Sequence, residues 1–146
     1  MAKWAQGIYV PKNPQKYVGN HKPKYRSGWE LAFMQFCDNN PAILQWASEA
    51  VQIPYRDPTT GKNTIYVPDF FIVYVDKNGK QHCELIEVKP SNHTFLEKVG
   101  KNQVNQYQYV KNMAKWEAAR DWCKQKGILF RIVTENVIFH NPNKRR

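Results

Sequence analysis

Two stretches of the chain carry apolar residues at helical spacing. In the first, the apolar residues within 29–37 fall on one helical face. Ser27 and Glu30 have the spacing of a capping box, with Ser27 as the N-cap. The polar run 38–41 then ends in a proline, which stops helices. We therefore predict a helix that begins after Ser27 and ends near residue 38.

The second helical stretch is longer and covers residues 95–126. Its outer positions are polar, and Gly127 follows it as a plausible C-cap. The apolar positions that we assign to its buried face are Val104, Tyr107, Val110, Met113 and Ala114.

The chain between these helices is rich in Val, Ile, Phe and Tyr and is interrupted by turn signals, which is typical of β-structure. We predict strands near 51–55, 64–75 and 82–88. The last two are joined by a turn at Lys77-Asn78-Gly79. Residues 42–51 fit either a short helix or a strand.

After the second helix, residues 128–135 have the composition of a strand, and 137–140 could form a last one. The order of helix, β-meander, helix and strand indicates an α/β (α+β) fold, with a mixed β-sheet flanked by helices. We predict a single domain over 27–146. Residues 1–26 have no sustained periodicity and are predicted to form an extended N-terminal arm.

The charge of the chain is unevenly distributed. Lys and Arg number 22 against 12 Asp and Glu, a net charge of +10, and no acidic residue precedes Glu30. A basic, acid-free arm suits a phosphate-rich partner, because each bound phosphate releases counterions. We expect the arm to contact a nucleic acid. The candidate DNA-binding residues are Lys12, Lys16, Lys22, Lys24 and Arg26.

Three widely spaced cysteines without a CxxC pair argue against a disulfide framework or a cysteine zinc site. They are consistent with a reducing cytoplasm. No window is apolar enough to span a membrane, and no signal peptide is evident, so we expect no membrane partner.

Two short motifs on neighbouring predicted strands could carry chemistry. Pro68-Asp69 is followed, after 17 residues, by Glu87-Val88-Lys89. Glu87 and Lys89 project from one face of a strand because side chains alternate. A two-residue loop at Asn78-Gly79 would set Phe70 opposite Glu87. A three-residue loop 77–79, or a bulge near Pro68, would bring Asp69 there.

Carboxylates placed together are unfavourable unless a cation lies between them, and Mg²⁺ prefers carboxylate oxygens, water and phosphate. A lysine beside them could orient water and stabilise negative charge on a phosphate. Each residue also has a plain structural explanation. Asp69 could be a turn residue, Glu87 and Lys89 a solvated pair, and Glu30 only a helix cap.

The segments YVPDF and ELIEVKP resemble the PD-(D/E)xK nuclease superfamily. EVKP together with GILFRIVTE is similar to the endonuclease subunit of heteromeric transposases. Over its whole length the chain resembles the head-completion nucleases of T-even-type tailed bacteriophages. The resemblance implies a restriction-endonuclease-like core and Mg²⁺-dependent cleavage of DNA, with Mn²⁺ as a possible substitute. Endonuclease and exonuclease action are both compatible with it.

By position, the resemblance makes Asp69, Glu87 and the Val88 carbonyl metal ligands and Lys89 the catalytic lysine. Glu30 would be the helix-borne acid of the pattern. Gln103 and Tyr107 resemble the QxxxY motif of exonuclease-type members. The resemblance also implies trimming of packaged DNA before tails join, with phage head, portal or neck proteins as partners. That places the protein in the host cytoplasm during assembly and leaves retention in the virion open.

Two other interpretations remain at this point. The first is a DNA-binding structural head or neck protein with a vestigial nuclease fold. The second uses Gly7-Ile8-Tyr9 and Tyr17-Val18-Gly19, which resemble the paired tripeptides of GIY-YIG nucleases. These should face each other across a hairpin, yet only seven residues separate them, and two of these are Pro11 and Pro14. A regular hairpin between the tripeptides is therefore not expected.

Overall fold

The computed structural model of the chain describes residues 6–89 and 103–134, with 103–105 as backbone only. The helices are α1 (Gly28–Asn39) and α2 (Gln103–Lys126), with a short 3-10 turn at Pro14–Lys16. The strands are β1 (Gly7–Ile8), β2 (Lys24–Tyr25), β3 (Ile43–Ser48), β4 (Ile53–Asp57), β5 (Lys62–Tyr66), β6 (Phe70–Val75), β7 (Gln81–Val88) and β8 (Leu129–Val133).

A four-stranded sheet in the order β3-β6-β7-β8 forms the centre of the fold. β3, β6 and β7 are antiparallel neighbours, and β8 lies parallel to β7. The parallel strand is possible because α2 supplies the long crossover that such a pair requires. The predicted mixed sheet with flanking helices is confirmed. Within residues 6–89 and 103–134, no helix has the length and apolarity needed to cross a membrane.

Some sequence expectations change in detail. Residues 42–51, left open as helix or strand, contain strand β3. The single strand predicted at 64–75 is two strands, β5 and β6, which belong to different sheets. Pro68 lies in the break, where its missing N–H could not serve a continuous ladder. Residues 95–102 of the predicted second helix and the predicted strand at 137–140 lie outside the described residues.

Each helix covers one face of the central sheet. On one face, Phe33 and Cys37 of α1 pack with Trp46, Phe70 and Ile86. On the other, Trp116, Ala119 and Cys123 of α2 pack with Leu85 and Phe130. Neighbouring residues of β7 therefore point into different clusters, as the alternation of a strand requires. Glu87, two residues beyond Leu85, shares the α2 face.

The apolar face of α2 begins later than the sequence predicted. Tyr107 is 55% exposed and Val110 is 46% exposed. The buried positions of the helix are instead Asn112, Trp116, Ala119 and Cys123. The assignment of Tyr107 and Val110 to the buried face was therefore wrong, because the buried positions in the described part of α2 begin at Asn112. Met113 and Ala114 are half-buried and pack against the core, as predicted. The side chain of Val104 lies outside the described residues.

Residues 6–26 have little regular structure, but they are packed against the domain. β1 pairs with β2, and Tyr17 forms an isolated bridge with Trp46 of the central sheet. The rings of Tyr17 and Trp46 lie 4.7 Å apart in an edge-to-face arrangement. The two GIY-like tripeptides do not pair with each other. The strand partner of Gly7 is Tyr25, in agreement with the expectation that no regular hairpin joins them.

Asp38 holds this N-terminal segment in place. Its side chain, 1% exposed, accepts hydrogen bonds from the Tyr9 hydroxyl and from the backbone N–H groups of Lys12 and Asn13. Burial by itself would raise the pKa of Asp38. The hydrogen bonds outweigh that effect, so its pKa lies below the usual value. The Asp38 carboxylate, near the end of α1, thus holds the N-terminal segment against the helix through these hydrogen bonds.

Candidate active site

The turn between β6 and β7 sets the geometry of the candidate site. Asp76 and Lys80 close a three-residue loop, with the Asp76 N–H donating to the Lys80 carbonyl over 2.9 Å. Gly79 within this loop has φ +80°, the left-handed conformation that glycine adopts readily. The three-residue version of the turn is therefore present, and Gly79 has the predicted conformation.

The register of the two strands follows from that loop. Phe70 lies opposite Ile86 in the ladder. Asp69, one residue before this pair, accepts a hydrogen bond from the Val88 N–H and is close enough to Glu87 for that charge to raise its pKa. The register extended by one step would thus set Asp69 opposite Glu87. The sequence had required either this loop length or a bulge near Pro68, and the loop length is sufficient.

Asp69 lies immediately before β6. Its Oδ2 accepts a hydrogen bond from the Val88 N–H over 2.7 Å, and its carbonyl accepts one from the Glu49 N–H over 2.9 Å. The pKa of Asp69 is raised well above its usual value by burial, by the charge of Glu87 and by that of Glu30. Folding has thus placed a carboxyl group where negative charge is unfavourable.

Glu87 is 6% exposed and has a different environment for each oxygen. Oε1 accepts a hydrogen bond from the Tyr66 hydroxyl over 2.7 Å, and Oε2 lies 3.8 Å from Lys89 Nζ. Burial raises the pKa of Glu87, although Lys89 and Tyr66 act in the opposite direction. The contact with Tyr66 also raises the pKa of that phenol, whose burial has the larger effect.

Lys89 follows β7 directly. Its backbone N–H donates to the Val133 carbonyl over 3.0 Å, which ties this end of β7 to β8. Its ammonium group is directed to Glu87, as two residues on one face of a strand should be. Asp69, Glu87 and Lys89 therefore meet at one end of the central sheet, as the sequence predicted.

Glu30 has the capping role considered for it, and its role as the helix-borne acid stays a prediction. Its N–H donates to Ser27 Oγ over 3.1 Å, so Ser27 is the predicted N-cap. Its own carboxylate accepts from the Arg26 N–H over 3.1 Å. Burial raises the pKa of Glu30, and the charges of Glu49 and Glu87 raise it further. Glu30 is thus a capping residue within electrostatic reach of the candidate site.

The basic residues expected to bind DNA divide into two groups. Lys16 Nζ donates to the carbonyl oxygens of Asp38 and Asn40 at the end of α1, both over 2.9 Å. Arg26 pairs with Glu49 over 3.0 Å. Both side chains have structural partners. The other three are exposed: Lys12, Lys22 and Lys24. Their contact with DNA remains a prediction.

The carboxylate donor set fits a hard divalent cation. Within residues 6–89 and 103–134, no three His, Cys, Asp or Glu side chains form a ready-made metal cage. Mg²⁺ does not need one, since it commonly takes one or two carboxylates and completes its shell with water and phosphate oxygens. The raised pKa values of Asp69 and Glu87 reflect a site in which added positive charge is favourable. Ligation through the Val88 carbonyl stays a prediction.

Several side chains near the site were not found from the sequence. Tyr66 and Glu49 come from strands and loops whose position depends on distant packing. Lys111 and Lys115 follow Tyr107 on α2 at distances of four and eight residues along the chain. Extending the QxxxY spacing along the helix would have indicated both lysines. The Gln103 side chain lies outside the described residues, so that motif is not tested.

Comparison with known proteins identifies the family. Residues 40–135 match the family described as TnsA-like endonuclease N terminal. The matched residues include Asp69, Glu87 and Lys89, whereas Glu30 precedes them.

The chain is also 36% identical over 140 residues to the head completion nuclease of Enterobacteria phage T4, with 89% of this chain and 91% of that protein covered. The resemblances drawn from YVPDF, ELIEVKP and GILFRIVTE are thereby confirmed. The chain belongs to the TnsA-like endonuclease N-terminal family and is a relative of a phage head completion nuclease.

Proposed function

We propose that this protein is a metal-dependent DNA nuclease that acts in the completion of phage heads. The observation that carries the proposal is the meeting of Asp69, Glu87 and Lys89 at one end of the central sheet. Two carboxylates with raised pKa values beside an ammonium group are suited to phosphodiester hydrolysis. A site that had lost its activity would not be expected to retain Asp69, Glu87 and Lys89 together.

Asp69 and Glu87 would hold Mg²⁺, which supplies Lewis-acid activation of the phosphate and of a bound water. The chain itself provides the other requirements. The Val88 N–H and the Tyr66 hydroxyl orient the two carboxylates. Lys89 offers an ammonium group that can hold a water molecule and stabilise charge developing on phosphate oxygens. In hydrolysis the water oxygen bonds to phosphorus and the bond from phosphorus to the leaving strand oxygen breaks. The water gives up one proton to the solvent and the leaving oxygen takes one, so no net proton is gained or lost in these two transfers.

The biological role follows the relative named as a head completion nuclease. In this role the protein cuts DNA at a filled head, in the host cytoplasm, before tails are joined. Its partners would be double-stranded DNA and the head, portal or neck proteins around the DNA exit. Endonuclease and exonuclease activity are both open to this site, and Gln103 and Tyr107 are the candidate accessory residues for the latter.

The test is cleavage of circular plasmid and of linear duplex by the purified protein, with Mg²⁺ and then with EDTA. We expect nicked or linearised plasmid with Mg²⁺ and no product with EDTA. Asp69→Asn, Glu87→Gln and Lys89→Met should each lower the rate by about 100-fold or more. Asp121→Asn, an exposed carboxylate on α2, serves as the matched control and should cut like the parent.

Linear DNA degraded from its ends while plasmid stays intact would assign the activity as exonucleolytic. Full activity of Lys89→Met and Asp69→Asn would refute the site. A parent that binds DNA but never cuts it, under any divalent cation, would favour the structural head or neck protein. If substitution of Tyr9 or Tyr17 abolished cleavage while Lys89→Met did not, a GIY-YIG mechanism would be favoured.

A further inference from the structure

Lys115 approaches the candidate site from α2. Its ammonium nitrogen lies 5.5 Å from the centroid of the Tyr66 ring. The hydroxyl of that ring is the group that donates to Glu87 over 2.7 Å. Lys115, Tyr66 and Glu87 thus form a continuous series from the helix to the end of the central sheet.

The environment of Lys115 offers its charge the face of the Tyr66 ring but no carboxylate partner among the described residues. The side chain is half-buried, and no carboxylate of the described residues lies within ion-pair distance of its ammonium group. Burial lowers the pKa of Lys115, the charge of Lys89 lowers it further, and Glu87 acts in the opposite direction. A buried cation in this position is stabilised when an anion binds beside it.

Lys111, one helical turn earlier, provides a contrast. Its ammonium group lies 3.6 Å from Asp57 Oδ2, so this lysine has an internal counter-ion. Asp57 is itself held by the Thr59 hydroxyl and N–H. Of these two lysines, Lys115 is therefore the one without a carboxylate counter-ion among the described residues, and it is the one whose charge acts on Glu87.

The anion that this arrangement fits is a phosphate of the DNA strand. Lys89 reaches Glu87 from the end of β7, and Lys115 reaches the same neighbourhood from the helix. A cleaved strand carries further phosphates on either side of the scissile one. We propose that Lys115 binds a backbone phosphate of the substrate strand beside the scissile phosphate. This inference rests on the nuclease function proposed above and adds to it a second phosphate-binding residue.

The test measures binding of a fluorescent 20-base-pair duplex to the full chain in EDTA, over a series of salt concentrations. Lys115→Met should weaken binding by about tenfold and reduce the slope of log affinity against log salt by about 0.9. Lys115→Arg should keep both values close to the parent. Lys124→Met, at an exposed position about 13 Å further along α2, is the control and should leave the slope unchanged.

The salt slope separates a phosphate contact from a structural role. Loss of packing on Tyr66 would weaken binding without changing the number of counterions released. A parent slope in Lys115→Met, in protein whose melting curve shows it to be folded, would overturn the inference. A reduced slope in Lys115→Met, together with a parent that never cleaves DNA with Mg²⁺, would uphold the phosphate contact while refuting the nuclease function.

Discussion

Tyr66 donates a hydrogen bond to Glu87 over 2.7 Å, and this bond joins the β4–β5 hairpin to the central strand β7. Both side chains are buried. Because the hydroxyl engages Oε1, it is Oε2 that lies beside Lys89. Tyr66 is therefore a positioning residue that sets which oxygen of Glu87 is available at the candidate site.

We predict that Tyr66→Phe lowers the rate of DNA cleavage by about tenfold, the lower end of the effect seen when groups that orient metal-binding carboxylates are removed. Tyr74→Phe is the matched control, since Tyr74 donates to Glu84 over 2.6 Å at another place on the sheet. Both variants should lose about 1–2 kcal/mol in urea unfolding. Equal activity of the two variants would contradict the positioning role.

Asp69→Asn is predicted to raise stability while abolishing cleavage. The pKa of Asp69 is raised, so its ionised form opposes folding at neutral pH, and an amide removes that charge. The amide oxygen can still accept the Val88 N–H. We expect a gain of about 1 kcal/mol in urea unfolding in EDTA, within the range of single stabilising changes. An unchanged or lower unfolding midpoint would show that the buried charge is already compensated.

Asp38 should make the fold sensitive to acid. Its pKa lies below the usual value when the chain is folded, so the ionised group stabilises the fold above about pH 4, the ordinary range of an unfolded Asp. That stabilisation is lost as the pH falls through the lower, folded-state pKa.

The check is urea unfolding of the parent and Asp38→Asn between pH 7 and pH 2.5. Asn cannot accept at both positions, so the variant should be less stable by about 2–3 kcal/mol at pH 7. The difference should shrink as the pH falls below about 4. A difference that is constant over this range would show that the charge of Asp38 does not hold the N-terminal segment.

The register of the β6–β7 hairpin, and not the length of its loop, should control activity. Deletion of Lys77 leaves the two-residue loop Asn78-Gly79, a favoured hairpin turn, between Asp76 and Lys80, which stay opposite each other. Phe70 then still lies opposite Ile86, and the register that leads to Asp69 and Glu87 is kept, so cleavage should be retained. Gly79→Ala keeps the loop length. It adds a Cβ that meets no atom within 4 Å, and should cost only about 1 kcal/mol for the left-handed φ.

Gly127→Ala is the control for that cost, because Gly127 has φ +70° and equally open space at the end of α2. Both alanine variants should cut DNA at the parent rate below their melting temperatures. Loss of cleavage after deletion of Lys77, in protein whose melting curve shows it to be folded, would contradict the view that the register alone places the site.

The hairpin was predictable because its determinants are local. Alternation puts Glu87 and Lys89 on one face, and the preference of Gly79 for a left-handed conformation selects the three-residue loop. β3 was ambiguous because its strand character comes from pairing with β6 and packing against α1, which the sequence alone does not reveal. The break at Pro68 was missed, although the missing N–H of proline was a sufficient signal.

The side chains that support the site were harder to predict. Tyr66, Glu49 and Lys115 reach it only through long-range packing of separate elements. Asp38 illustrates the same limit. In the sequence it belongs to a polar run that ends a helix, and only the folded chain shows that it accepts hydrogen bonds from Tyr9 and the backbone nearby.

The parallel strand β8 has a consequence for biosynthesis. Glu87 and Lys89 leave the ribosome well before Val133, whose carbonyl fixes the Lys89 backbone. Pairing across the α2 crossover is a non-local contact and forms late in folding. A chain truncated after residue 127 should therefore neither fold stably nor cut DNA, which circular dichroism and the plasmid assay can check. We therefore expect that a chain still being synthesised, in which β8 has not yet paired with β7, does not cleave the DNA around it.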